Sequence, residues 1–288
     1  MSAHTPSRAA SEQIQPPSGI VAGKLSLVLP ARNEEGNLER VVGRSIEVLN
    51  EHVPDWEIVI VVNGSTDRTP EIADELAERE PRVRVLHRPD EKGYGLAWRT
   101  GFAEVRGEYI MCMDSDGQFD LGDITLLLPY INHYDIVAGY RIERQDPPHR
   151  KLNAALFHLA VRALFRVPLR DLDCGFKIFR AELIHSLPLR SPGALINLEI
   201  QSFARLRDAS VIEVGVNHYP RRAGEPTGAK PSVVLQAMSE MLVLRLRVWR
   251  AALPQPLAGA LGLAAATGAA LTLLTSVARR LRRKGRVI

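Results

Sequence analysis

Two aspartates and a glutamine follow an apolar run that has the length of a β-strand. Tyr109–Met113 is the run, and Asp114, Asp116 and Gln118 come directly after it. Residues two apart in an extended backbone point to the same side, so the two carboxylates are expected to face one point. Converging anions need a cation between them, and hard oxygen ligands suit Mg²⁺ or Mn²⁺ completed by substrate phosphates. The alternative is a helix N-cap formed by Asp116 or Asp120.

Two further loops in the first half of the chain also follow runs of strand length. The residues in them that could contact a ligand are Pro30, Ala31, Asn33, Glu34, Asn63, Ser65 and Asp67. The second loop, Asn-Gly-Ser-Thr-Asp, has side chains free to bind, although an ordinary Asx turn would use the same residues. The carboxyl ends of parallel strands meet at one edge of a sheet, so these loops should converge with Asp114 and Ser115.

A lysine and a glycine precede a third segment with a helical pattern. Lys92 and Gly93 stand just before the predicted helix Gly95–Val105. A flexible backbone at a helix N-terminus suits a loop that passes close to a diphosphate. A single G-x-G carries little information alone, so this prediction depends on the neighbouring loops.

Strands and helices alternate through the first half of the chain. The predicted strands are Leu25–Leu29, Glu57–Val62, Arg82–Leu86 and Tyr109–Met113. The predicted helices between and after them are Leu38–Leu49, Pro70–Glu78 and Gly95–Val105. This alternation implies right-handed crossovers and therefore an α/β fold with a Rossmann-like, mostly parallel sheet flanked by helices.

Composition excludes several classes of protein. The chain has 288 residues, 45% of them hydrophobic, so it can bury a sizeable core. Its net charge of +4 comes from six basic residues among the last ten, and the rest of the chain is slightly acidic. A nucleic-acid-binding surface is therefore not expected. The two cysteines, Cys112 and Cys174, cannot form a disulfide framework and are predicted to be core thiols in a reducing compartment.

The C-terminal region has the composition of a membrane-associating segment. Leu257–Ala278 contains 22 uncharged residues, close to the ~20 that span a bilayer. Many of them are Ala, Gly or Thr, and basic residues flank both ends, which disfavours a single crossing. A helical segment that re-enters or lies on the membrane fits these charges better. The N-terminal residues are rich in Pro, Ser and Ala and are expected to be flexible, with the body of the protein in the cytoplasm.

Six segments of the chain, taken in order, resemble the motifs of glycosyltransferase family 2. They read VLPARNEEGNL, VVNGSTDRT, RPDEKGYGLAWRTGF, MCMDSDGQF, RDLDCGFKIFR and NHYPRRAGEPTGAKP. The similar branch contains the dolichyl- and polyprenyl-phosphate sugar synthases. The resemblance implies a GT-A fold, a nucleotide-diphosphate sugar donor, a divalent ion and inversion at the anomeric carbon. The resemblance covers about Lys24 to Leu244. Together with the composition of the two ends, it predicts a flexible segment 1–23, a GT-A domain 24–230 and a C-terminal helical segment 231–288.

The resemblance also assigns roles to individual residues. It places Pro30, Ala31, Asn33, Glu34 and Asp67 against the nucleotide. Asp114 and Asp116 match the metal and diphosphate aspartates, and Gln118 matches a further metal-side position. Asp171 matches the acid of the acceptor-side motif. The basic positions that face the acceptor phosphate, or close over the phosphates, match Arg141, Arg150, Arg221, Arg222 and Lys230.

Two positions depart from the family pattern. The second loop usually begins with paired acids, of which the first commonly reads the nucleotide base, and Val62 and Asn63 replace them here. Ala154 replaces a small hydroxyl residue on the acceptor side. The first departure leaves the donor base open, and the second weakens direct analogy for the acceptor.

The acceptor decides whether a general base is required. A hydroxyl acceptor needs one, and Asp171, Asp173 and Glu199 are candidate acids, whereas a lipid phosphate is already an anion. The prediction is transfer to a polyprenyl phosphate at the inner face of the membrane, with Asp116 and Asp171 catalytic and Asp171 positioning substrate. The alternatives are transfer to a hydroxyl of a polysaccharide or small metabolite, and a non-catalytic nucleotide-sugar-binding partner of a membrane complex. A homo-oligomer is a further possibility.

Overall fold

The computed structural model describes residues 21, 23–142, 161, 164, 165, 167, 169–221 and 231–253. The strands within these residues are β1 Leu25–Ala31, β2 Trp56–Asn63, β3 Val83–Arg88, β4 Tyr109–Cys112, β5 Ile136–Arg141, β6 Lys177–Arg180 and β7 Val211–Val216. The α-helices are α1 Leu38–His52, α2 Thr69–Arg79, α3 Tyr94–Glu104, α4 Ile124–Leu127, α5 Ala181–Ser186, α6 Ile196–Arg205 and α7 Pro231–Ala251. Short 3₁₀ turns at Leu121–Asp123 and Leu128–Tyr130 flank α4.

All seven of these strands form one sheet in the order β3-β2-β1-β4-β6-β5-β7. β1 lies beside β2 and β4 and is parallel to both, and β2 is parallel to β3. β6 runs antiparallel to its neighbours β4 and β5, and β5 is parallel to β7. The predicted α/β class with a mostly parallel sheet is confirmed. The loops after β1, β2 and β4 therefore meet at one edge.

Alternating side chains of the central strands divide the core into two layers. Leu27 and Leu29 point to the layer that contains α1 and α2, and Val28 points to the layer that contains α3, α6 and α7. Every residue of β2 is buried, as expected for a strand that is covered on both faces. Cys112 and Cys174 are buried free thiols, which confirms their predicted place in the core.

The predicted elements of the first half are confirmed, with ends that differ by up to three residues. The end that matters for chemistry is that of β4. The prediction extended this strand to Met113, but the structure ends it at Cys112, and Ser115 and Asp116 lie in a turn.

Helix α7 packs against the body of the protein through one of its faces. Met241, Leu244 and Val248 are buried in the same core layer as α6. Across the described parts of the chain, no helix combines the length and the apolar character that a bilayer crossing requires. The predicted uncharged segment Leu257–Ala278 and the predicted flexible N-terminal residues 1–20 lie outside the described residues, so their roles stay predictions.

Candidate functional site

A cavity of about 490 Å³ opens at the carboxyl ends of β1, β2 and β4. This edge is where parallel α/β sheets bind their ligands. The residues that line the cavity are Pro30, Arg32, Asn33, Glu34, Asn63, Gly93, Tyr94, Ala97, Asp114, Ser115, Asp116 and Arg221. Predicted site residues that the structure describes but places outside this lining are Ala31, Ser65, Asp67, Lys92, Gln118, Arg141 and Asp171.

The loops after β1 and β2 hold each other in place. Asn33 adopts a left-handed φ of 56°. Its side-chain Oδ1 accepts a 2.8 Å hydrogen bond from the backbone amide of Thr66, and its backbone amide donates a 3.2 Å hydrogen bond to the Ser65 hydroxyl. Asp67 accepts bonds from the Glu35 amide at 3.2 Å and from the Thr69 hydroxyl at 2.6 Å. Ser65 and Asp67 therefore position the cavity wall in this structure, and the nucleotide contact predicted for them stays a prediction.

Glu34 lies on the cavity wall under partial burial. Its Oε2 accepts a 2.8 Å bond from the Asn37 side chain, and its Oε1 lies 3.8 Å from the Arg221 guanidinium. Burial raises the pKa of Glu34 despite these two interactions. The carboxyl thus belongs to a group of acids at this end of the cavity.

Asp114 is enclosed on two sides. Its Oδ1 accepts a 2.9 Å bond from the Tyr94 hydroxyl, and a Cβ built on Gly175 would lie only 2.4 Å from its Oδ2. Burial, and then the charge of Asp116, raise the pKa of Asp114 to about 6. The expectation that Asp114 and Asp116 share one side of an extended strand is wrong, because a turn separates them. The turn nevertheless brings both carboxylates to the same cavity.

Asp116 faces a cation from a distant part of the chain. Its Oδ2 accepts a 2.5 Å hydrogen bond from Arg221, which lies five residues after β7. Its Oδ1 accepts a 3.0 Å hydrogen bond from the backbone amide of Gln118. The alternative of Asp116 as a helix cap is not needed, because Asp120 caps the following 3₁₀ turn through a 2.7 Å bond from Gly122.

The carboxylates of Asp114 and Asp116 fit a divalent ion that is shared with a substrate. Within the described residues, no three His, Cys, Asp or Glu side chains form a complete ligand set. Mg²⁺ commonly binds one or two carboxylates together with water and phosphate oxygens, so two acids at a cavity wall are sufficient. Gln118, the third predicted ligand, instead donates a 3.3 Å bond to the Tyr219 carbonyl and does not line the cavity.

The end of β2 forms a neutral part of the cavity. Asn63 is buried, and its amide nitrogen donates a 3.0 Å bond to the Gly93 carbonyl. Gly93 has a φ of 152°, and a Cβ there would lie 2.5 Å from the Pro192 carbonyl oxygen, so the position requires glycine. The Lys92 side chain is exposed and packs near Gly64.

The predicted acceptor-side residues Arg141 and Asp171 pair with each other. The guanidinium donates two bonds to the carboxylate, at 2.6 Å and 2.7 Å, and both side chains are largely buried. Burial alone would lower the pKa of Arg141, but the bonds to Asp171 raise it. In this structure each residue neutralises the charge of the other, and their predicted roles toward the acceptor stay predictions. The other predicted basic residues, Arg150, Arg222 and Lys230, lie outside the described residues.

Glu199, a candidate base, is a structural residue. It is fully buried and accepts bonds from the amides of Arg190 and Ser191, the latter at 2.7 Å. It also pairs with Arg247 of α7. Asp173, the remaining candidate, is partly exposed and does not line the cavity.

Tyr94 is one of three lining residues, with Arg32 and Ala97, that the sequence patterns did not single out. Its ring packs edge-on against Trp98 at 5.8 Å, and its hydroxyl reaches Asp114 from the first turn of α3. Burial, and then the charge of Asp114, raise the pKa of this hydroxyl well above its usual range, so Tyr94 remains a donor. Tyr94 directly follows Gly93 at the start of a predicted helix, and this position in the sequence could have indicated that its side chain lies at the cavity.

A profile described as glycosyl transferase family 2 matches residues 26–187, which is more than half of the chain. The chain belongs to glycosyl transferase family 2. The predicted family is confirmed, and the matched residues contain the loops after β1, β2 and β4 that line the cavity.

Several curated proteins are similar to this family member. Glycosyltransferase AglD of Haloferax volcanii is 32% identical over 60% of this chain and 29% of that protein. Dolichyl-phosphate beta-glucosyltransferase ALG5A of Trichomonas vaginalis is 33% identical over 55% of this chain and 53% of that protein. An undecaprenyl-phosphate 4-deoxy-4-formamido-L-arabinose transferase of Pectobacterium carotovorum is 28% identical over 69% of this chain and 61% of that protein. The chain spans less than two thirds of each of these relatives.

Solved structures confirm the predicted GT-A fold. Glucosyl-3-phosphoglycerate synthase of Mycobacterium tuberculosis, in complex with Mn²⁺ and uridine-diphosphate-glucose, superposes with a TM-score of 0.58 at 24% identity over 81% of each chain. Its complex with Mg²⁺ and uridine-diphosphate gives the same TM-score, identity and coverage. At this identity, the likeness concerns the fold alone.

Proposed function

We propose that this family 2 member transfers a sugar from a nucleotide-diphosphate sugar to a polyprenyl phosphate, with inversion at the anomeric carbon and with Mg²⁺ or Mn²⁺. The observation that carries the proposal is the convergence of Asp114, Asp116 and Arg221 on one cavity, whose wall also includes the uncharged Asn63 and Gly93. The acidic side chains suit a cation-bound diphosphate, and the uncharged part of the wall suits a nucleoside. The reaction would take place at the cytoplasmic face of the membrane.

The side chains on the cavity wall supply complementary charges. Asp114 and Asp116 would hold the divalent ion, which when bound neutralises the charge that grows on the departing diphosphate. Arg221 adds a positive charge next to Asp116, and its fork of N–H donors matches phosphate oxygens. Tyr94 keeps the Asp114 carboxylate oriented toward the cavity.

The state of the candidate bases favours a phosphate acceptor. Asp171 is committed to Arg141, and Glu199 is fully buried against α7, so neither is placed to take a proton from a substrate hydroxyl. A lipid phosphate is already ionised and requires no base. The similarity to relatives named as dolichyl-phosphate and undecaprenyl-phosphate transferases supports the same acceptor class.

The experiment is a transfer assay with the purified full chain. Labelled nucleotide sugars are incubated with a short polyprenyl phosphate and Mg²⁺ or Mn²⁺, and the mixture is extracted with organic solvent. We expect one sugar to move into the organic phase, and both excess chelator and Asp116→Asn to abolish the transfer. The matched control acceptor is the polyprenol that lacks phosphate.

Other outcomes separate the alternatives. Label transferred to a water-soluble saccharide or metabolite, and none to the lipid, would indicate a hydroxyl acceptor. Donor binding without turnover on any acceptor would indicate a non-catalytic nucleotide-sugar-binding partner. Undiminished transfer in the presence of chelator would overturn the metal dependence.

A further inference from the structure

The outer face of α7 carries a continuous row of apolar side chains. Leu242 and Leu246 are 62% and 60% exposed, and Trp249 and Leu253 are partly exposed. Leu242, Leu246 and Trp249 stand at i, i+4 and i+7 along one side of α7, and Leu253 follows two residues after the helix ends. We call them the outer stripe. The residues that α7 buries against the body, Met241, Leu244 and Val248, lie on a different side.

The rotation of α7 about its own axis is fixed. Arg247 pairs with the buried carboxylate of Glu199, donates a 2.5 Å bond to the Pro188 carbonyl and lies 5.4 Å from the centre of the Phe203 ring. The buried apolar side chains hold the helix from the same direction. The outer stripe therefore cannot turn inward without breaking these contacts, and it faces away from the body.

Positive charge borders the outer stripe on both sides. On a helical projection, Arg245 lies at one margin of the stripe and Arg250 at the other. Neither makes an ion pair with any residue that the structure describes. Glu240 is the one acidic residue in the sequence of α7, and its Oε2 lies 3.5 Å from a Cβ built on Gly193 of the body. The surface is thus apolar along its centre and cationic at its edges.

This combination of charges selects the partner. In a symmetric contact with a second copy, Arg245 and Arg250 would meet cations, and the helix offers no acid on this face to compensate. An anionic lipid surface satisfies both features, because apolar side chains enter the acyl boundary while arginine side chains extend to the headgroups. Tryptophan is also enriched at this depth of a bilayer.

We propose that the outer stripe of α7 lies in the surface of an anionic lipid bilayer, with the helix axis parallel to the membrane plane. The proposal deepens the proposed function, on which its purpose rests, because a polyprenyl phosphate must be reached at a membrane. It adds a defined docking face, formed by residues 242–253, to the predicted association of the C-terminal region.

The test uses an environment-sensitive fluorophore on the full chain. Leu246→Cys is labelled with an NBD group, while the native Cys112 and Cys174 are buried and should not react. The control is Leu126→Cys, an exposed position on α4 at the opposite face of the sheet. Vesicles of phosphatidylcholine, with and without phosphatidylglycerol, are then added. We expect a blue shift and a several-fold rise in emission at 246 with anionic vesicles, and no change at 126.

Two results would overturn the proposal. One is sedimentation of the protein with anionic vesicles while the probe at 246 remains unchanged. The other is a probe at 246 that is already blue-shifted without vesicles, which would show that the chain's own C-terminal residues or a second copy cover the stripe. Arg245→Gln and Arg250→Gln provide an independent measurement, since each should weaken vesicle binding roughly fivefold at low salt.

Failure of the docking face and failure of the proposed function can be distinguished. If sugar reaches the polyprenyl phosphate but position 246 stays in water, only the docking face is wrong. If position 246 enters the bilayer but no donor sugar is transferred, only the function is wrong. Transfer to a water-soluble short-chain acceptor should be unchanged in Arg245→Gln, because this residue lies outside the cavity lining.

Discussion

Asp114 occupies a position in which its negative charge is costly. The Tyr94 hydroxyl stabilises the carboxylate with one hydrogen bond, but burial and the neighbouring charge of Asp116 outweigh that bond and raise its pKa to about 6. A carboxyl of this kind gains most when a cation arrives, because the cation offsets both unfavourable effects. The same conditions give the metal-free protein a measurable pH dependence.

We predict that Asp114 makes the metal-free protein less stable as the pH rises from about 4 to about 6. Over this range the unfolded state has released the proton that folded Asp114, with its pKa raised to about 6, still holds. Urea unfolding is measured at several pH values in this range with a chelator present. The slope of unfolding free energy against pH should be more negative for the wild type than for Asp114→Asn. Asp120→Asn is the control, and equal slopes in wild type and Asp114→Asn would contradict the prediction.

If the cavity binds a nucleotide sugar as proposed, Asn63 is placed to select its base. Its amide nitrogen is bound to the Gly93 carbonyl, so its oxygen is the atom left to face a ligand in the cavity. β2 is two strands away from β4, about 10 Å, which matches the reach of a nucleoside from a diphosphate near Asp116. An acceptor oxygen at that place suits the ring N–H of uracil or guanine and repels the ring nitrogen of cytosine or adenine.

We predict that UDP or GDP binds at least roughly tenfold more tightly than CDP and ADP, since a hydrogen-bonding site rejects a mismatched analogue strongly. Asn63→Leu should remove most of this preference, while Ser65→Ala, behind the cavity wall, should retain it. Calorimetric titration with Mn²⁺ present measures both. Equal affinity for CDP and UDP in the wild type would contradict the assignment.

At the scale of elements, the sequence patterns predict the sheet and the edge where the loops meet. That prediction works because apolar runs of strand length alternate with helical patterns, and parallel strands bring their carboxyl ends together. The turn after β4 was beyond these patterns, since it depends on a 2.5 Å bond from Ser115 to the Pro30 carbonyl and on a φ of 74° at Gly117. The sequence patterns also do not predict which side chains pair across long sequence separations, such as Arg141 with Asp171.

Gly175, two residues before β6, lies against the loop after β4, and this close approach gives a prediction at this scale. A methyl group in Gly175→Ala would lie 2.4 Å from the Asp114 Oδ2 and would displace the carboxylate. We expect a loss of about 1 to 3 kcal/mol in unfolding free energy and at least a tenfold fall in transfer rate. Gly43→Ala on α1 is the matched control, because a Cβ there meets no atom within 4 Å. Retained activity in Gly175→Ala, with circular dichroism unchanged, would show that Asp114 can move without consequence.

At the scale of the whole molecule, one ion pair ties the C-terminal helix to the body. Glu199 is completely buried, and Arg247, whose side chain is 23% exposed, supplies its counter-charge from 48 residues away. Two backbone amides complete the environment of the carboxylate. This arrangement explains why an acid that looks like a candidate base from sequence has a structural role instead.

We predict that Arg247→Met costs about 3 kcal/mol in unfolding free energy, because it leaves the Glu199 charge buried without a partner. Glu199→Gln combined with Arg247→Met should cost less than the sum of the two single changes. Urea unfolding of the four proteins measures this coupling. The transfer rate of Glu199→Gln should stay within a few-fold of wild type, and a loss of several hundred-fold with an intact fold would identify Glu199 as a base after all.

The loop that Glu199 holds also borders the cavity near Gly93. Pro192, one residue after the two amides bound by Glu199, accepts a 3.0 Å bond from the Leu96 amide in the first turn of α3 and crowds Gly93. Shortening the chain at residue 230 to obtain a minimal catalytic fragment would therefore do more than remove an anchor. Such a fragment would leave Glu199 without its counter-ion and loosen the support beneath the cavity. We therefore expect it to bind a nucleotide sugar more weakly than the full chain does.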